Sequence, residues 1–205
     1  LTMTLPTYRA DLHPLLEERA SPRSYDPTHS LDDEHLGALL EAARWAPSSM
    51  NRQPWRFVAA RRGTLAHDTV MATLMPGNQA WAGDASLLVV AIAERERDGR
   101  RIGTADYDPG LAEAQMTLQA HAMGLHAHQM GGFDAAALAD VLGLGPGLSP
   151  VVVVAVGRRD HPDRLPDELR ARETAPRRRR PLSDLVLAVD GREWRHADDR
   201  DARAA

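Results

Sequence analysis

The chain has 205 residues, 43% of them hydrophobic, a formal net charge of -4, and neither cysteine nor lysine. That length and apolar share suit one sizeable core and favour a single domain over 1–205, with its core at about 12–190 and a polar tail at 191–205. Disulfides, thiolate metal sites, cysteine nucleophiles, Schiff-base lysines and a P-loop lysine are excluded, and the acidic balance argues against a general nucleic-acid binder.

All 25 basic residues are arginine, whose planar fork suits phosphate and carboxylate, so a phosphorylated ligand remains well served. The longest apolar run, Val151 to Val156, is far short of the roughly 20 residues a membrane helix needs. The first residues also lack a basic segment followed by an apolar stretch, so a cytoplasmic location and no membrane partner are expected.

In chain order, Leu12 to Ala20 reads as a short helix with Leu12, Leu15 and Leu16 on one side, ended by Pro22. Ser30 and Asp33 have capping-box spacing ahead of a second helix, on which Leu36, Leu39, Leu40 and Ala43 share a face. The stretch APSSMNRQPWRF, residues 46–57, follows. Two prolines there bracket two serines, an asparagine and a glutamine, more rigidity and hydrogen-bonding capacity than a connection requires.

Arg56 to Arg61 is predicted as a strand, Thr64 to Leu74 as a threonine-capped helix, and Leu87 to Ala93 as a buried strand, with a turn at Gly77 and Asn78 between the last two. The charged segment Glu94 to Asp108 has no clean period and reads as a mobile excursion. Leu111 to Met123 is an alanine-rich helix closed by Gly124, followed by a short strand Leu125 to Met130 and the turn Gly131-Gly132-Phe133. Asp134 caps a helix that runs to Leu142, and Val151 to Gly157 is the clearest strand. Beyond a proline- and arginine-rich segment, Asp184 to Asp190 looks β-like, and a polar tail carries Trp194. Interleaved strands and helices indicate an α+β or α/β class without repeats.

Three motifs invite bland readings. Gly143, Gly145 and Gly147 follow a helix instead of a strand and lack the dinucleotide spacing. His121, His126 and His128 have no carboxylate at a convincing spacing for a metal. The run Arg177 to Arg180 has no interleaved aromatics, which leaves a solvated charge run or a phosphate clamp. Arg19, Ser21 and Arg23 place guanidinium, hydroxyl and guanidinium at alternate positions, so an extended backbone would turn all three the same way.

Taken together, Arg19-x-Ser21-x-Arg23, APSSMNRQPWRF and GLHAHQMGGFD from Gly124 to Asp134 resemble the nitroreductase family of FMN-dependent oxidoreductases, from about Leu15 to about Val189. The resemblance implies an α+β fold with a central, mainly antiparallel sheet flanked by helices, and an intertwined homodimer with FMN at the interface. It implies that Arg19 and Ser21 hold the FMN phosphate, with Arg178 and Arg180 closing on it, while Arg23 and Asn78 serve the pyrimidine edge of the flavin. A fixed cation at that edge favours the negative charge that reduction places there.

By the same resemblance Pro47, Ser48, Ser49 and Asn51 reach the flavin of the partner subunit, and Gln53, Pro54 and Trp55 anchor that loop. Met130, Gly131 and Gly132 pass close to the reactive centre, where glycine permits close approach. Three departures stand out. Ala20 replaces a position that is often basic, Pro22 stiffens the phosphate motif, and Gly131 stands where some members carry an acidic residue. The implied activity is hydride transfer from NADH or NADPH to FMN and on to a small-molecule acceptor, such as a nitroaromatic or quinone, with no protein residue named as catalytic. His126, His128 and Tyr107 are candidates only for protonating a product. Within the same fold, a specialised flavin-dependent dehydrogenase or an FMN-binding protein without turnover remain alternatives.

Overall fold

The computed structural model describes residues 12–190 and 192–193. By its contacts the chain divides into two units, Pro14–Thr174 and a smaller one that includes, among the described residues, His13 and residues 175–190.

Within the larger unit the elements are α1 (Pro14–Glu17), α2 (Asp33–Arg44), β1 (Trp55–Arg61), α3 (Leu65–Thr73), α4 (Pro76–Ala82), β2 (Leu87–Glu94), β3 (Glu96–Arg97), β4 (Arg100–Arg101), α5 (Asp108–Ala122), β5 (His126–Met130), α6 (Ala135–Val141), β6 (Leu148–Gly157) and α7 (Asp167–Thr174). Four strands form one sheet in the order β1-β2-β6-β5, every neighbouring pair antiparallel. The expected α+β class with a central antiparallel sheet is what the chain adopts.

β2 is buried along its whole length because both sheet faces are covered. On one face Leu87, Val89, Val154 and Val156 meet Leu39 and Ala43 of α2 and Met116 and Ala120 of α5. On the other, Leu88, Val90, Val153 and Ala155 meet Val70 of α3, Trp81 of α4 and Leu138 of α6. Alternate residues of one strand therefore feed two separate layers, the period-2 consequence of the pleat.

Several boundaries differ from the sequence reading. β6 begins at Leu148, three residues earlier than expected, and carries Pro150 inside the sheet. A bulge accommodates it: the pairing register jumps between Ala91 and Ile92, which removes the need for an amide at that point. Helix α2 is capped by Asp32, whose side chain accepts from the His35 amide, instead of by Ser30. Gly77 and Asn78 lie inside α4, where Pro76 occupies the first turn, and are not a turn. The first helix shrinks to Pro14–Glu17, and the charged excursion folds into the hairpin β3–β4 and a turn leading into α5. Helix α7 was not anticipated, since its face is polar almost throughout.

In the other unit a single turn at Leu182–Asp184 precedes the two-residue hairpin β7 (Ala188–Val189) with β8 (Arg192–Glu193), so the predicted run 184–190 is a strand only at its end. Trp194 and the tail beyond it lie outside the described residues. No helix among the described residues is long and apolar enough to cross a membrane.

Candidate functional site

The segment between α1 and α2 brings Arg19 and Ser21 together. The Arg19 Nη1 donates to Ser21 Oγ at 3.3 Å, and both line a cleft of about 330 Å³ with Thr117 and Leu118 of α5 and Gln129 of β5. Gln129 Nε2 donates to Thr117 Oγ1 at 2.5 Å, which fixes the cleft floor. Arg23 does not line this cleft. Its amide is held by the Glu173 carboxylate at 2.9 Å, and the Pro22 carbonyl lies 2.9 Å from His128 Nδ1.

The loop after α2 is strained and tied. Met50, Asn51 and Gln53 all sit in the left-handed region, at φ of 54°, 52° and 49°. Asparagine tolerates that conformation, whereas methionine and glutamine each store on the order of 1 kcal/mol or more there. Two bonds within the loop and one to a distant helix maintain it. The Gln53 amide donates to Ser48 Oγ at 2.9 Å, Gln53 Nε2 donates to Asn51 Oδ1 at 3.0 Å, and the Ser49 amide reaches Asp108 Oδ2 at 3.3 Å. At the loop's exit the Pro54 carbonyl accepts from the Glu94 amide at 2.9 Å, and Trp55 is buried. Pro47 is exposed, as are Trp45 and Met50. Asn51 and Gln53 line a second cleft with Arg44, Trp45 and Ala46, which shares no residue with the Arg19 cleft.

Gly131 and Gly132 follow β5 directly. The Gly132 carbonyl accepts from Asn78 Nδ2 at 2.9 Å and from the Met75 amide at 3.0 Å, so two residues singled out from sequence, Asn78 and Gly132, meet. A Cβ on Gly132 would stand 2.9 Å from Asn78 Nδ2, closer than side chains pack, whereas one on Gly131 would meet open space. Met130 is buried in the core, and it is Gly131, the next residue, that is exposed.

Two of the three histidines form a ring pair instead of a metal site. His121 and His126 stand edge to face with centroids 5.5 Å apart, and each has a buried Nδ1 without a partner. No group of three metal-ligating side chains occurs among the described residues. Burial, then the neighbouring His121 and Arg159, push the His126 ring down to about 4. Its native state therefore resists a proton that the unfolded chain accepts near 6.5, and stability is lost as pH falls from 6.5 toward 4. His126→Gln is expected to flatten that acid limb in urea titrations across the same window, while an unchanged limb would place the acid sensitivity elsewhere.

The sequence matches the model of the nitroreductase family over residues 16–68 and 63–158. The chain belongs to the nitroreductase family. Among its relatives, the oxygen-insensitive NAD(P)H nitroreductase of Enterobacter cloacae is 28% identical over 213 residues, spanning 82% of this chain and 95% of that protein. A crystal structure described as an oxidoreductase containing FMN superposes with a TM-score of 0.83 at 36% identity, over 93% of this chain and 98% of the other. A second structure, from Desulfovibrio desulfuricans in complex with FMN, gives 0.71 at 27% identity over 87% and 98%.

In this nitroreductase chain some site-shaping residues escaped the sequence reading. Asp108, buried at the start of α5, accepts from Thr104 Oγ1 at 2.7 Å as well as from the Ser49 amide, and thereby ties the loop to the helix. The Asp108-Pro109 pair was its signal, since proline favours a first helical turn, but a charged aperiodic stretch masked it. Glu173 had no local signal, and His128, noted as a candidate metal or proton-donating histidine, holds the Pro22 carbonyl instead. Arg178 and Arg180 fall in the smaller unit, where Arg180 Nη2 donates to the Asp184 carbonyl at 3.2 Å and Arg179 Nη1 to the Arg178 carbonyl at 3.0 Å.

Proposed function

We infer that this protein is an FMN-dependent NAD(P)H oxidoreductase that passes electrons to a small electrophilic acceptor such as a nitroaromatic or quinone. The observation that carries the reading is the coincidence of family membership with a donor set that suits FMN. A guanidinium and a hydroxyl converge at Arg19 and Ser21 for a phosphate, and the Gly131-Gly132 backbone is open to a planar ring on one side and braced by Asn78 on the other. FMN, when bound, supplies the hydride chemistry.

The chain's own residues bind and orient. Arg19 and Ser21 would hold the phosphate, and Arg23 and Asn78 would face the pyrimidine edge. Met130, Gly131 and Gly132 would offer backbone toward the reacting nitrogen. Arg178 and Arg180 join the phosphate set on the family resemblance alone. The loop residues Pro47, Ser48, Ser49, Asn51 and Gln53 line or border a cleft separate from that of Arg19, which suits a homodimer in which each loop serves the flavin of the other subunit. A cytoplasmic site, where NADH and NADPH are made, goes with this reading. The chain carries no dinucleotide fingerprint, so the donor is chosen by the shape of the pocket over the flavin.

The test is the visible spectrum of the purified protein with FMN, followed by anaerobic NADH and NADPH in turn. Flavin bands that bleach with one nicotinamide support the reading, and bound flavin that stays yellow overturns it in favour of a non-turnover or specialised flavoprotein. Arg19→Ala is expected to weaken FMN about tenfold or more in a fluorescence titration, the loss of one charge-assisted contact to a phosphate. Equal affinity in the variant would remove Arg19 from the site.

A further inference from the structure

We propose that His128 and Glu173 are positioning residues for phosphate recognition, fixing the backbone of the Arg19–Arg23 segment from beneath at Pro22 and Arg23. This rests on the reading of Arg19 and Ser21 as the FMN phosphate site.

Arg19 and Ser21 sit on an irregular stretch, and a stretch that must hold two donors on one anion gains affinity when its ordering is complete before binding. The backbone immediately downstream is pinned residue by residue. His128 Nδ1 lies 2.9 Å from the Pro22 carbonyl, and the Arg23 amide donates to Glu173 Oε2 at 2.9 Å. Ser24 Oγ donates to the His161 carbonyl at 2.7 Å, the buried Tyr25 hydroxyl to the Ala155 carbonyl at 3.2 Å, and the Asp26 amide to the Arg158 carbonyl at 2.9 Å. The last three contacts belong to β6 and its extension. The first two come from single side chains, and they are the ones adjacent to Ser21.

Each side chain is itself held. The His128 ring packs on Trp81 with centroids 4.6 Å apart, and burial keeps it below its ordinary range, so it serves as a neutral donor. Only a carbonyl is available at Pro22, because proline has no amide. Glu173 has a side chain 3% exposed and pairs with Arg159 at 3.3 Å. A buried carboxylate close to an anion site would repel the anion, and Arg159 offsets that charge. What remains of Glu173 near the phosphate segment is its hydrogen bond to Arg23, which is a positioning role and not a charge role. His128 also joins the two halves of the site, since it lies two residues before Met130 on the strand that leads into Gly131 and Gly132.

The two roles predict opposite behaviour of two variants. Glu173→Gln keeps an oxygen acceptor for the Arg23 amide but removes the charge, whereas Glu173→Ala removes both. A charge effect would move FMN affinity the same way in each. The experiment measures FMN and riboflavin dissociation constants by fluorescence for the wild type, Glu173→Gln, Glu173→Ala and His128→Phe. Riboflavin lacks only the phosphate, so the ratio of the two constants reports phosphate recognition.

The expected result is a five- to tenfold collapse of that ratio in Glu173→Ala and His128→Phe, with riboflavin losing less affinity than FMN because Arg23 also serves the ring, and Glu173→Gln unchanged or slightly tighter for FMN. A ratio equal to wild type in both deletion variants overturns the proposal, as does a parallel loss of FMN and riboflavin, which would indicate general damage. Should Glu173→Ala not fold, His128→Phe carries the test, because it keeps a ring against Trp81. A wild type without preference for FMN over riboflavin would instead overturn the phosphate site itself, a failure distinct from loss of preference in the variants.

Discussion

Trp55→Ala is expected to cost about 3–5 kcal/mol in urea unfolding, a large part of the stability of a domain this size, and to loosen the 46–54 loop that precedes it. Trp55 is 6% exposed and packs in the core layer that contains Leu31, Leu39, Ala43, Ala46 and Leu87. It is also the first residue of β1, paired to Ala93, directly after the Pro54 carbonyl that the Glu94 amide holds. Truncating the indole leaves a cavity at the point where the strained loop enters the sheet. The left-handed backbone at Met50, Asn51 and Gln53 then loses its fixed end, so FMN affinity should fall in the same variant. A cost below about 1 kcal/mol would show that the indole is not a core element.

Glu113→Gln is expected to stabilise the protein by about 2–3 kcal/mol at pH 8 and by less than about 1 kcal/mol at pH 5. Glu113 lies on the inner face of α5, and burial raises its carboxyl to about 7 from an ordinary 4.5. Between those values the native state keeps a proton that the unfolded chain has released. Stability conferred by that proton is therefore complete below 4.5, falls as pH rises through 7, and leaves a buried charge above it. The glutamine never ionises and escapes that cost. Urea titrations of both proteins at pH 5 and pH 8 would check it, and a pH-independent difference would mean that the carboxyl is solvated. The size is set below the full shift because part of the side chain retains access to water.

The Trp55 anchor was legible through the family resemblance: it closes the loop bounded by Pro47 and Pro54 just ahead of the expected strand Arg56 to Arg61. The Glu113 behaviour was not, because Glu113 occupies one position of an alanine-rich helix whose apolar period is weak, and only the packing of α5 on α2 and the sheet decides which side is dry. The same split runs through the candidate site. Arg19, Ser21, the 46–57 loop and the Gly131-Gly132 turn stood out as candidates because three short motifs, spaced in order along the chain, resemble those of the family.

What the amino-acid sequence by itself determined was the order of the main strands and helices and the family, and it nominated the candidate site residues. Only the tertiary structure decided that Asn78 sits in a helix braced on Gly132, that Asp108 holds Ser49 across 59 positions, and that His128 and Glu173 grip Pro22 and Arg23 across more than a hundred. Those contacts join residues far apart in the chain, through single hydrogen bonds that leave no periodic trace. A polar side chain in a buried contact reads, in sequence, like one in water. The fold alone says which it is.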